Sequence, residues 1–343
     1  MQAVVLVGGQ GTRLRPLTST VPKPVVPLVD RPFMAYMLEW LAGHGVDDVI
    51  LSLGFMAGAL RDVLGDGSRY GVKLRYVEEP EPRGTAGALK FAQEHLQERF
   101  LMLNGDVLSD MDLTAQIAQH EATGAVGTLA LVPVDNPSAY GLVRLNDDRS
   151  VQGFLEKPEP EEIDTNLISA GAYVLERSVL DLIAPDANVS IEREVWPQLV
   201  GHGLFAYPHD AYWLDIGTPA TYLQASLDLV AGRVPAAGLQ AIGAGGEVAP
   251  DATVGDDVVL GPAVRIGAGA RLERCVVLEG STVGAGCRLT DCIVSPGVTL
   301  GDRTVVDGGA VLGEGVVVGA DNVLTNGVRV FPGTTLPDGA IRF

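Results

Sequence analysis

The stretch Val5–Pro24 reads VLVGGQGTRLRPLTSTVPKP and joins an apolar strand to a glycine-rich turn and a group of cations. The turn contains Gly8, Gly9 and Gly11, and the cations are Arg13, Arg15 and Lys23. Glycine at such a turn permits positive φ angles and lets backbone N–H groups come close to phosphate oxygens. A purely structural turn can carry the same glycines, but the cations that follow favour a triphosphate-binding loop.

The same stretch excludes two common phosphate-binding loops. A Walker loop needs a Gly-Lys-Ser/Thr sequence, which is absent, and a dinucleotide fingerprint needs a third glycine where this chain has Leu14. The chain has only four lysines, and two of them, Lys23 and Lys157, stand directly before prolines. An ammonium group is compact whereas a guanidinium is a planar fork, so these two lysines are candidate phosphate ligands. Lys157 taken alone, after a strand and beside Glu156, is better interpreted as a solvated loop charge.

Composition and charge limit the possible partners. The 343-residue chain is 47% hydrophobic, which is too apolar for a disordered protein, and its net charge is −19. Nucleic acids and anionic membranes bind clustered cations, so neither is an expected partner. The sequence has no long apolar run and no basic leader segment, which predicts neither a membrane span nor a secretory signal. Its three cysteines lack metal-ligand spacing, and free thiols are typical of the reducing cytoplasm, where we expect the protein.

Residues 1–232 alternate short β-rich runs with helical segments. This alternation predicts an α/β domain, Rossmann-like, with a mixed and mostly parallel sheet that is covered by helices on both faces. In such sheets ligands bind beyond the carboxyl ends of the strands. The glycine-rich turn follows one apolar strand directly, so we expect a site at this edge.

A different period governs residues 246–343, where aliphatic residues recur every six positions with two slips of one residue. The series begins at Val248, passes through Leu260, Val283 and Val306, and ends at Leu336. Hexapeptide spacing predicts a left-handed parallel β-helix, in which each face contributes one inward aliphatic residue and three repeats form a coil. Residues 233–245 are rich in alanine, glycine and proline and are the predicted linker.

Two apolar runs of the first domain end at a carboxylate. Asp106 ends FLMLNGD, and Asp215 lies in YWLDIG. Each is compatible with the cap of a turn, and the pair is also compatible with a Mg²⁺ site, because this ion takes one or two carboxylates together with water and substrate phosphates. The sequence has no Ser-His-Asp arrangement, HExxH or CxxC motif. Phosphate handling by cations and a metal is the chemistry that remains.

These motifs together resemble one enzyme family. GGQGTRLRPLTSTVPKP resembles the opening signature of the sugar-1-phosphate nucleotidylyltransferases, and further motifs follow in that family's order. They are GTAGAL at 84–89, NGD at 104–106, EKP at 156–158, SIEREVWP at 190–197 and WLDIG at 213–217. The chain is most similar to mannose-1-phosphate guanylyltransferases, in which a β-helix also follows the catalytic domain. The resemblance implies transfer of a nucleotidyl group from a nucleoside triphosphate to a sugar-1-phosphate, with GTP and mannose-1-phosphate as substrates.

The resemblance also implies roles for individual residues. The catalytic residues would be Arg13, Lys23, Asp106, Lys157 and Asp215, with Asp106 and Asp215 holding Mg²⁺. The nucleotide would be bound by Gly8, Gly9, Gly11 and Thr12, and its base and ribose would face Glu81, Gly84 and Thr85. The sugar phosphate would be bound by Gly141, Glu156, Lys157 and Gly171.

The chain departs from the family pattern at two positions. Ser169 stands where related guanylyltransferases commonly have asparagine, and its shorter side chain affects the expected contact with a sugar hydroxyl. Arg83 replaces the usual leucine before GTAG, beside the expected base pocket. An arginine at this position is compatible with contact to the base, to the phosphates or to solvent only.

Three other functions compete with this one. Acyltransferases with hexapeptide solenoids generally use a solenoid histidine as base, whereas the last histidine here is His209, before the solenoid. A regulatory subunit without catalysis would be expected to lack at least one of the five residues assigned to catalysis, and all five are present. A glucose-1-phosphate thymidylyl- or adenylyltransferase keeps the same chemistry with other substrates. The open ends and flat faces of the solenoid predict a homo-oligomer formed through this domain.

Overall fold

The computed structural model describes residues 1–54 and 56–342. Its helices are α1 (Phe33–Gly43), α2 (Ala57–Leu64), α3 (Gly84–Phe91), α4 (Leu113–Thr123), α5 (Trp196–Leu199) and α6 (Pro219–Val230). In the described part of the chain, none of these helices is long and apolar enough to cross a membrane.

The strands that precede α6 are short and are interleaved with the other helices. In chain order they are β1 (Gln2–Leu6), β2 (Pro27–Leu28), β3 (Arg31–Pro32), β4 (Asp48–Leu53), β5 (Lys73–Glu78), β6 (Arg99–Asn104), β7 (Val107–Ser109), β8 (Gly127–Pro133), β9 (Gly141–Leu145), β10 (Val151–Glu156), β11 (Leu167–Glu176), β12 (Leu204–Pro208) and β13 (Trp213–Asp215).

The contacts within the chain divide it into two compact units. The first unit consists of Met1–Gly9 and Met34–Trp213, and the second consists of Gln10–Phe33 and Leu214–Phe343. The cationic half of the opening stretch therefore belongs to the same unit as the C-terminal repeats, although the whole of α1 to β12 separates them along the chain.

The first unit is built on one mixed sheet with the strand order β10-β9-β11-β6-β1-β4-β5, and β8 and β12 extend it beside β11. Strands β5, β4, β1 and β6 are parallel, and β11 runs antiparallel to both β6 and β8. The predicted α/β class with a Rossmann-like sheet is confirmed. Because Leu6 pairs with Asn104, the segments after β1 and β6 leave the sheet at the same edge. This register brings Gly8 and Asp106 to the edge where a ligand is expected.

The core of the first unit follows from the apolar strands. Phe100 and Met102 of β6, together with Tyr173 and Leu175 of β11, point to the same side and pack around the fully buried Trp196. Strands alternate their side chains between the two faces of a sheet, so these residues line one face.

The second unit contains the repeats. Its strands are β14 (Glu247–Val248), β15 (Thr253–Val254), β16 (Val258–Leu260), β17 (Arg265–Ile266), β18 (Arg271–Val277), β19 (Thr282–Val283), β20 (Arg288–Val294), β21 (Thr299–Leu300), β22 (Val305–Val306), β23 (Val311–Leu312), β24 (Val317–Val318), β25 (Val323–Leu324), β26 (Arg329–Val330) and β27 (Thr335–Leu336). The pairings that stack them, among them β14 with β17, β17 with β19 and β18 with β20, are parallel, as a β-helix requires.

The register of the repeats gives the length of a coil. Glu247 pairs with Arg265, which is three full hexapeptides further along the chain. Arg265 pairs with Thr282, and Thr282 pairs with Thr299, and each of these two steps is one residue shorter. The step from Thr299 to Val317 has the full length again. Three hexapeptide repeats therefore make one coil, and the two slips in the sequence pattern correspond to the two shorter coils.

Most of the repeating aliphatic positions lie inside the solenoid. Leu260, Leu289, Val306 and Leu324 are among the buried residues that form a continuous core along its axis. The end coils are less well covered: Val254 and Leu336 are only partly buried, and 45% of the surface of Val248 is exposed. The hexapeptide period identifies which side of the strand faces the axis, but an end coil has a neighbour on one side only.

Two of the histidines are buried. His209 is only 6% exposed, and burial lowers its pKa to about 4, with His44 adding to this shift and Asp112 opposing it. Burial also lowers the pKa of His120, although its hydrogen bond to Glu176 opposes this shift. Just below the ordinary histidine pKa, both side chains are therefore protonated in the unfolded chain but stay neutral in the native state.

We predict that the free energy of unfolding decreases as the pH falls from about 6.5 to 4. In this window the unfolded chain binds a proton that native His209 does not, and the loss amounts to about 3 kcal/mol at most. In urea unfolding across this window, His209→Phe should have a smaller slope than the wild type, while replacement of the exposed His202 by alanine should keep the full slope. An unchanged slope in His209→Phe would contradict the assignment.

Candidate active site

The opening loop of the second unit is closed by a turn at Gly11. This residue has a φ of 61°, and a Cβ atom there would lie 3.2 Å from both Lys23 Cβ and Thr18 Cγ2. The Thr18 hydroxyl donates a hydrogen bond of 2.7 Å to the Gly11 carbonyl oxygen. A left-handed backbone and a close approach therefore both require glycine here.

A single 3₁₀ turn at Thr12–Leu14 presents the first cation of the loop. Leu14 is buried and anchors the turn, while Thr12 and Arg13 are exposed. The Arg13 side chain reaches the backbone of Gly217. A Cβ on Gly217 would lie 2.9 Å from Arg13 Nη2 and 3.2 Å from Asp215 Oδ1. The second unit thus places a guanidinium beside the carboxylate of Asp215.

Lys23 begins a second 3₁₀ turn, Lys23–Val25, that is held by prolines. Pro22 and Pro24 are buried on either side of the lysine, and Val25 and Val26 are buried after it. Proline fixes φ and removes backbone freedom, so the position of the Lys23 backbone is defined. Its Cβ is also the atom that Gly11 approaches. The backbone positions of Arg13 and Lys23 are therefore fixed by one packed loop.

The first unit supplies the glycines before the loop and one carboxylate. Gly8 and Gly9 are exposed after β1, and Asp106 is half-buried after β6. The Gly105 N–H donates a hydrogen bond of 2.9 Å to the Leu6 carbonyl oxygen, which ties the two strand ends together. The predicted placement of these residues at the carboxyl edge of the sheet is what the register shows.

A second group of predicted residues assembles around β9 and β10. Gly141 pairs with Glu156, and a Cβ on Gly141 would lie 3.1 Å from Glu156 Oε2 and 2.5 Å from the Phe154 ring. Lys157 follows in a left-handed conformation with a φ of 53°, and its N–H donates to the Tyr140 carbonyl oxygen at 3.0 Å. Backbone strain of this kind in a residue other than glycine is typical of functional positions.

Gly171 and Ser169 lie on β11 in the same unit. Gly171 has a φ of 74°, and a Cβ there would lie 2.7 Å from Asn104 Nδ2. The Ser169 hydroxyl forms a hydrogen bond of 3.0 Å with the Tyr173 hydroxyl. The serine that replaces the family's asparagine is thus engaged with a tyrosine of its own strand.

The carboxyl group of Glu156 is electrostatically perturbed. Burial raises its pKa, and the nearby carboxylate of Glu192 raises it further, while Lys157 and Arg193 oppose the shift. Burial followed by the charge of Glu192 also raises the pKa of Tyr173. The charge of Glu192 therefore acts on both Glu156 and Tyr173 within the first unit.

Glu192 lies in the SIEREVWP motif, where the sequence alone indicates no role for it, and the structure shows how it is held. Its Oε2 accepts hydrogen bonds from the Thr85 hydroxyl at 2.8 Å and from the Ser190 hydroxyl at 2.7 Å. The Thr85 oxygen in turn accepts from the Ile191 N–H at 2.8 Å. The segment Ile191–Val195 is a π-helical turn, a geometry that is common at functional sites.

The structure shows what the Arg83 side chain contacts. Its guanidinium forms an ion pair of 2.7 Å with Asp186 and lies 4.8 Å from the centre of the Phe91 ring. Gly84 has a φ of 70°, and a Cβ there would lie 2.5 Å from the Val189 carbonyl oxygen. Glu81 is exposed just before them. Arg83 is therefore engaged with its own unit rather than with solvent alone.

Asp106 and Asp215 are the carboxylates that the sequence predicts as metal ligands. Residues 1–54 and 56–342 contain no group of three or more histidine, cysteine or acidic side chains that could enclose a metal ion. Mg²⁺ usually takes one or two protein carboxylates and completes its shell with water and phosphate oxygens. Asp106 follows β6 in the first unit and Asp215 ends β13, and each is a half-buried carboxylate of the donor type that Mg²⁺ prefers.

Comparison with known proteins identifies the class. Residues 2–232 match the family model described as nucleotidyl transferase, and residues 237–340 match that of the GMPPB C-terminal domain. The chain belongs to the nucleotidyl transferase family, and the resemblance seen in the sequence is confirmed.

Relatives with described activities cover most of the chain. A mannose-1-phosphate guanylyltransferase of Mycobacterium tuberculosis is 39% identical, covering 82% of this chain and 81% of its own length. A probable mannose-1-phosphate guanylyltransferase 1 of rice, Oryza sativa subsp. japonica, is 37% identical, covering 82% of each chain. A UTP–glucose-1-phosphate uridylyltransferase of Synechocystis is 32% identical, covering 82% and 78%. Among solved structures, HddC from Yersinia pseudotuberculosis matches with a TM-score of 0.59 at 30% identity, covering 66% of this chain and 99% of its own.

We predict that Thr85→Val destabilises the protein by about 1–3 kcal/mol, because it removes a hydroxyl that bridges the Ile191 N–H and the Glu192 carboxylate. Valine has nearly the same shape as threonine, so the loss reports the hydrogen bonds rather than packing. Thr85→Ser keeps the hydroxyl and is the matched control. Equal stability of the valine and wild-type proteins in urea unfolding would contradict the bridging role.

Proposed function

We propose that this protein transfers a guanylyl group from GTP to mannose-1-phosphate, which produces GDP-mannose and pyrophosphate. The observation that carries nucleotidyl transfer is the packed loop that fixes Arg13 and Lys23 around Gly11. The choice of GTP and mannose-1-phosphate is supported by the two guanylyltransferase relatives, which are 39% and 37% identical to this chain.

The reaction is a displacement at the α-phosphorus of the nucleotide. An oxygen of the sugar phosphate forms the new bond to this phosphorus, and the bond between it and the β-phosphate bridging oxygen breaks, so pyrophosphate leaves. The attacking group is already anionic, because the second pKa of a phosphate ester is about 6. The enzyme therefore needs no histidine or serine base, and its task is positioning and charge stabilisation.

The cations and glycines of the loop act on the nucleotide. Arg13 and Lys23 hold the triphosphate and neutralise the pyrophosphate as it leaves. The backbone and hydroxyl donors of the loop cradle the phosphates, and a second segment faces the base and ribose. The first set is Gly8, Gly9, Gly11 and Thr12, and the second is Glu81, Gly84 and Thr85.

The cluster around β9 to β11 acts on the sugar phosphate. Lys157 binds its phosphate, and this residue follows β10 directly in a strained, left-handed backbone conformation. Glu156 accepts hydrogen bonds from sugar hydroxyls. Gly141 and Gly171 lack the Cβ atoms that would crowd Glu156 and Asn104, so these two polar side chains can lie close to the backbone of β9 and β11.

Enzymes of this family typically use a divalent metal, and we propose that it is Mg²⁺ here, held by Asp106 and Asp215. When bound, the ion would supply positive charge to the α-phosphate oxygens. Homo-oligomerisation through the β-helix and a cytoplasmic location remain predictions from the sequence.

The test is a pyrophosphate-release assay over a grid of substrates, with Mg²⁺ and with a chelator. The nucleotides are GTP, ATP, dTTP and UTP, and the sugars are mannose-1-phosphate and glucose-1-phosphate. We expect the highest kcat/KM for GTP with mannose-1-phosphate, and we expect chelation to abolish turnover because the phosphate charges are then unscreened. Lys23→Met and Lys157→Met should each reduce kcat/KM by at least about a hundredfold, since each removes a charge-assisted phosphate contact.

Other results of this assay would refute the specificity, the metal or the catalytic proposal. Turnover with UTP or dTTP and glucose-1-phosphate would preserve the mechanism and refute the specificity. Turnover that survives chelation would refute the metal. No turnover with any pair, from a folded protein, would refute the catalytic proposal and favour a regulatory subunit.

A further inference from the structure

Two neighbouring coils of the β-helix contact the cationic loop, and both lie in the same compact unit as this loop. Arg329, the first residue of β26, donates from Nη1 to the carbonyl oxygens of Arg13 at 3.3 Å and Arg15 at 3.2 Å. Glu314, in the turn after β23, accepts a hydrogen bond of 2.6 Å from the Thr20 hydroxyl. Strands β23 and β26 pair directly, so the two contacts come from adjacent coils.

Arg329 binds carbonyl groups that accept no hydrogen bond within the 3₁₀ turn. Within the turn, the Gly11 oxygen accepts from the Leu14 N–H and the Thr12 oxygen accepts from the Arg15 N–H. The last carbonyls of a helical turn have no such partner inside it, and a cation at this end both binds them and complements their dipoles. One guanidinium bridges the carbonyls on either side of Leu14.

Other arginines of the β-helix behave differently. Arg303 forms an ion pair with Asp321 of the next coil, and Arg274 forms one with Asp291 of the next coil. These pairs join a coil to its neighbour and stay within the repeats. Arg329 instead contacts backbone oxygens near the other end of the sequence. Its contact serves the loop rather than the stacking of the coils.

We propose that Arg329 is a positioning residue for nucleotide binding, which acts by fixing the backbone from which the Arg13 side chain projects. The Glu314–Thr20 contact holds the same loop at a second point, on the side that leads to Lys23. The β-helix is thereby a scaffold for the triphosphate-binding cations. This inference rests on the proposed function, in which Arg13 binds the triphosphate.

The test compares Arg329→Ala with Arg329→Lys and with Arg303→Ala as the matched control. Arg303→Ala removes an exposed arginine of the same β-helix whose ion pair lies within the repeats. We expect Arg329→Ala to raise the KM for GTP about tenfold, because hydrogen bonds from a charged donor are lost. The KM for mannose-1-phosphate and the melting temperature should stay near the wild-type values. Arg329→Lys should recover part of the GTP affinity, since an ammonium reaches one carbonyl.

Hydrogen exchange of residues 10–25 supplies a readout that does not depend on activity. We expect faster exchange in this segment for Arg329→Ala and Glu314→Ala, and wild-type exchange for Arg303→Ala. Glu314→Ala, which removes the acceptor of the Thr20 hydroxyl, is the second variant in case Arg329→Ala folds poorly.

The outcomes separate this inference from the proposed function. Wild-type GTP affinity together with wild-type exchange in Arg329→Ala would refute the positioning role. Equal losses for both substrates together with a lower melting temperature would show a structural role only, and would also refute it. If the wild-type protein is inactive on the whole substrate grid, the proposed function fails, and the exchange of residues 10–25 still decides whether the β-helix holds the loop.

Discussion

Gly11 adopts a left-handed backbone conformation while Lys23 and Thr18 press against the place where its Cβ would be, each at 3.2 Å. This close packing fixes the backbone positions from which the Arg13 and Lys23 side chains project. Arg13 projects from the turn that follows Gly11, and Lys23 is the residue that Gly11 touches. A nucleotide that carries its charge on three linked phosphates requires positive groups at defined separations. We propose that the loop meets this requirement through backbone geometry rather than through a large number of cations.

The chain as a whole is strongly acidic, with a net charge of −19, so the loop is a local exception. An acidic background disfavours other polyanions such as nucleic acids, while the local cations still attract a small phosphate ligand. Among the residues proposed to bind the sugar, Glu156 is perturbed, because burial raises its pKa and the carboxylate of Glu192 raises it further. Glu156 lies in the first unit, whereas Arg13 and Lys23 lie in the second.

Local patterns explain how much of this could be predicted from the sequence. The hexapeptide period predicted the inward residues of the β-helix because each repeat makes the same contact with its neighbours. The positions of Gly8 and Asp106 at one edge followed from the rule that parallel strands end together. The exposure of Val248 was not predicted, because the period marks the inward side of a strand but not how far one neighbouring coil covers an end residue.

Features that depend on distant contacts were not predictable in this way. The link from Arg329 to the carbonyls of Arg13 and Arg15 joins segments from opposite ends of the sequence and leaves no periodic signal. The bridge from Thr85 to Glu192 depends on a π-helical turn, which has no simple sequence signature. The left-handed backbone of Lys157 could not be predicted from the sequence either, because lysine rarely adopts this conformation.

The most direct test of the account is a calorimetric titration of GTP into wild-type, Gly11→Ala and Gly58→Ala proteins, each shown by circular dichroism to be folded. Gly58 lies in α2 with open space around its Cβ position, so alanine there should leave the affinity unchanged. The account predicts that Gly11→Ala weakens GTP binding about tenfold or more, because a left-handed alanine costs about 1–2 kcal/mol and its Cβ displaces Lys23 and Thr18. Wild-type affinity in a folded Gly11→Ala protein would contradict the claim that the packing at Gly11 sets the cations in place.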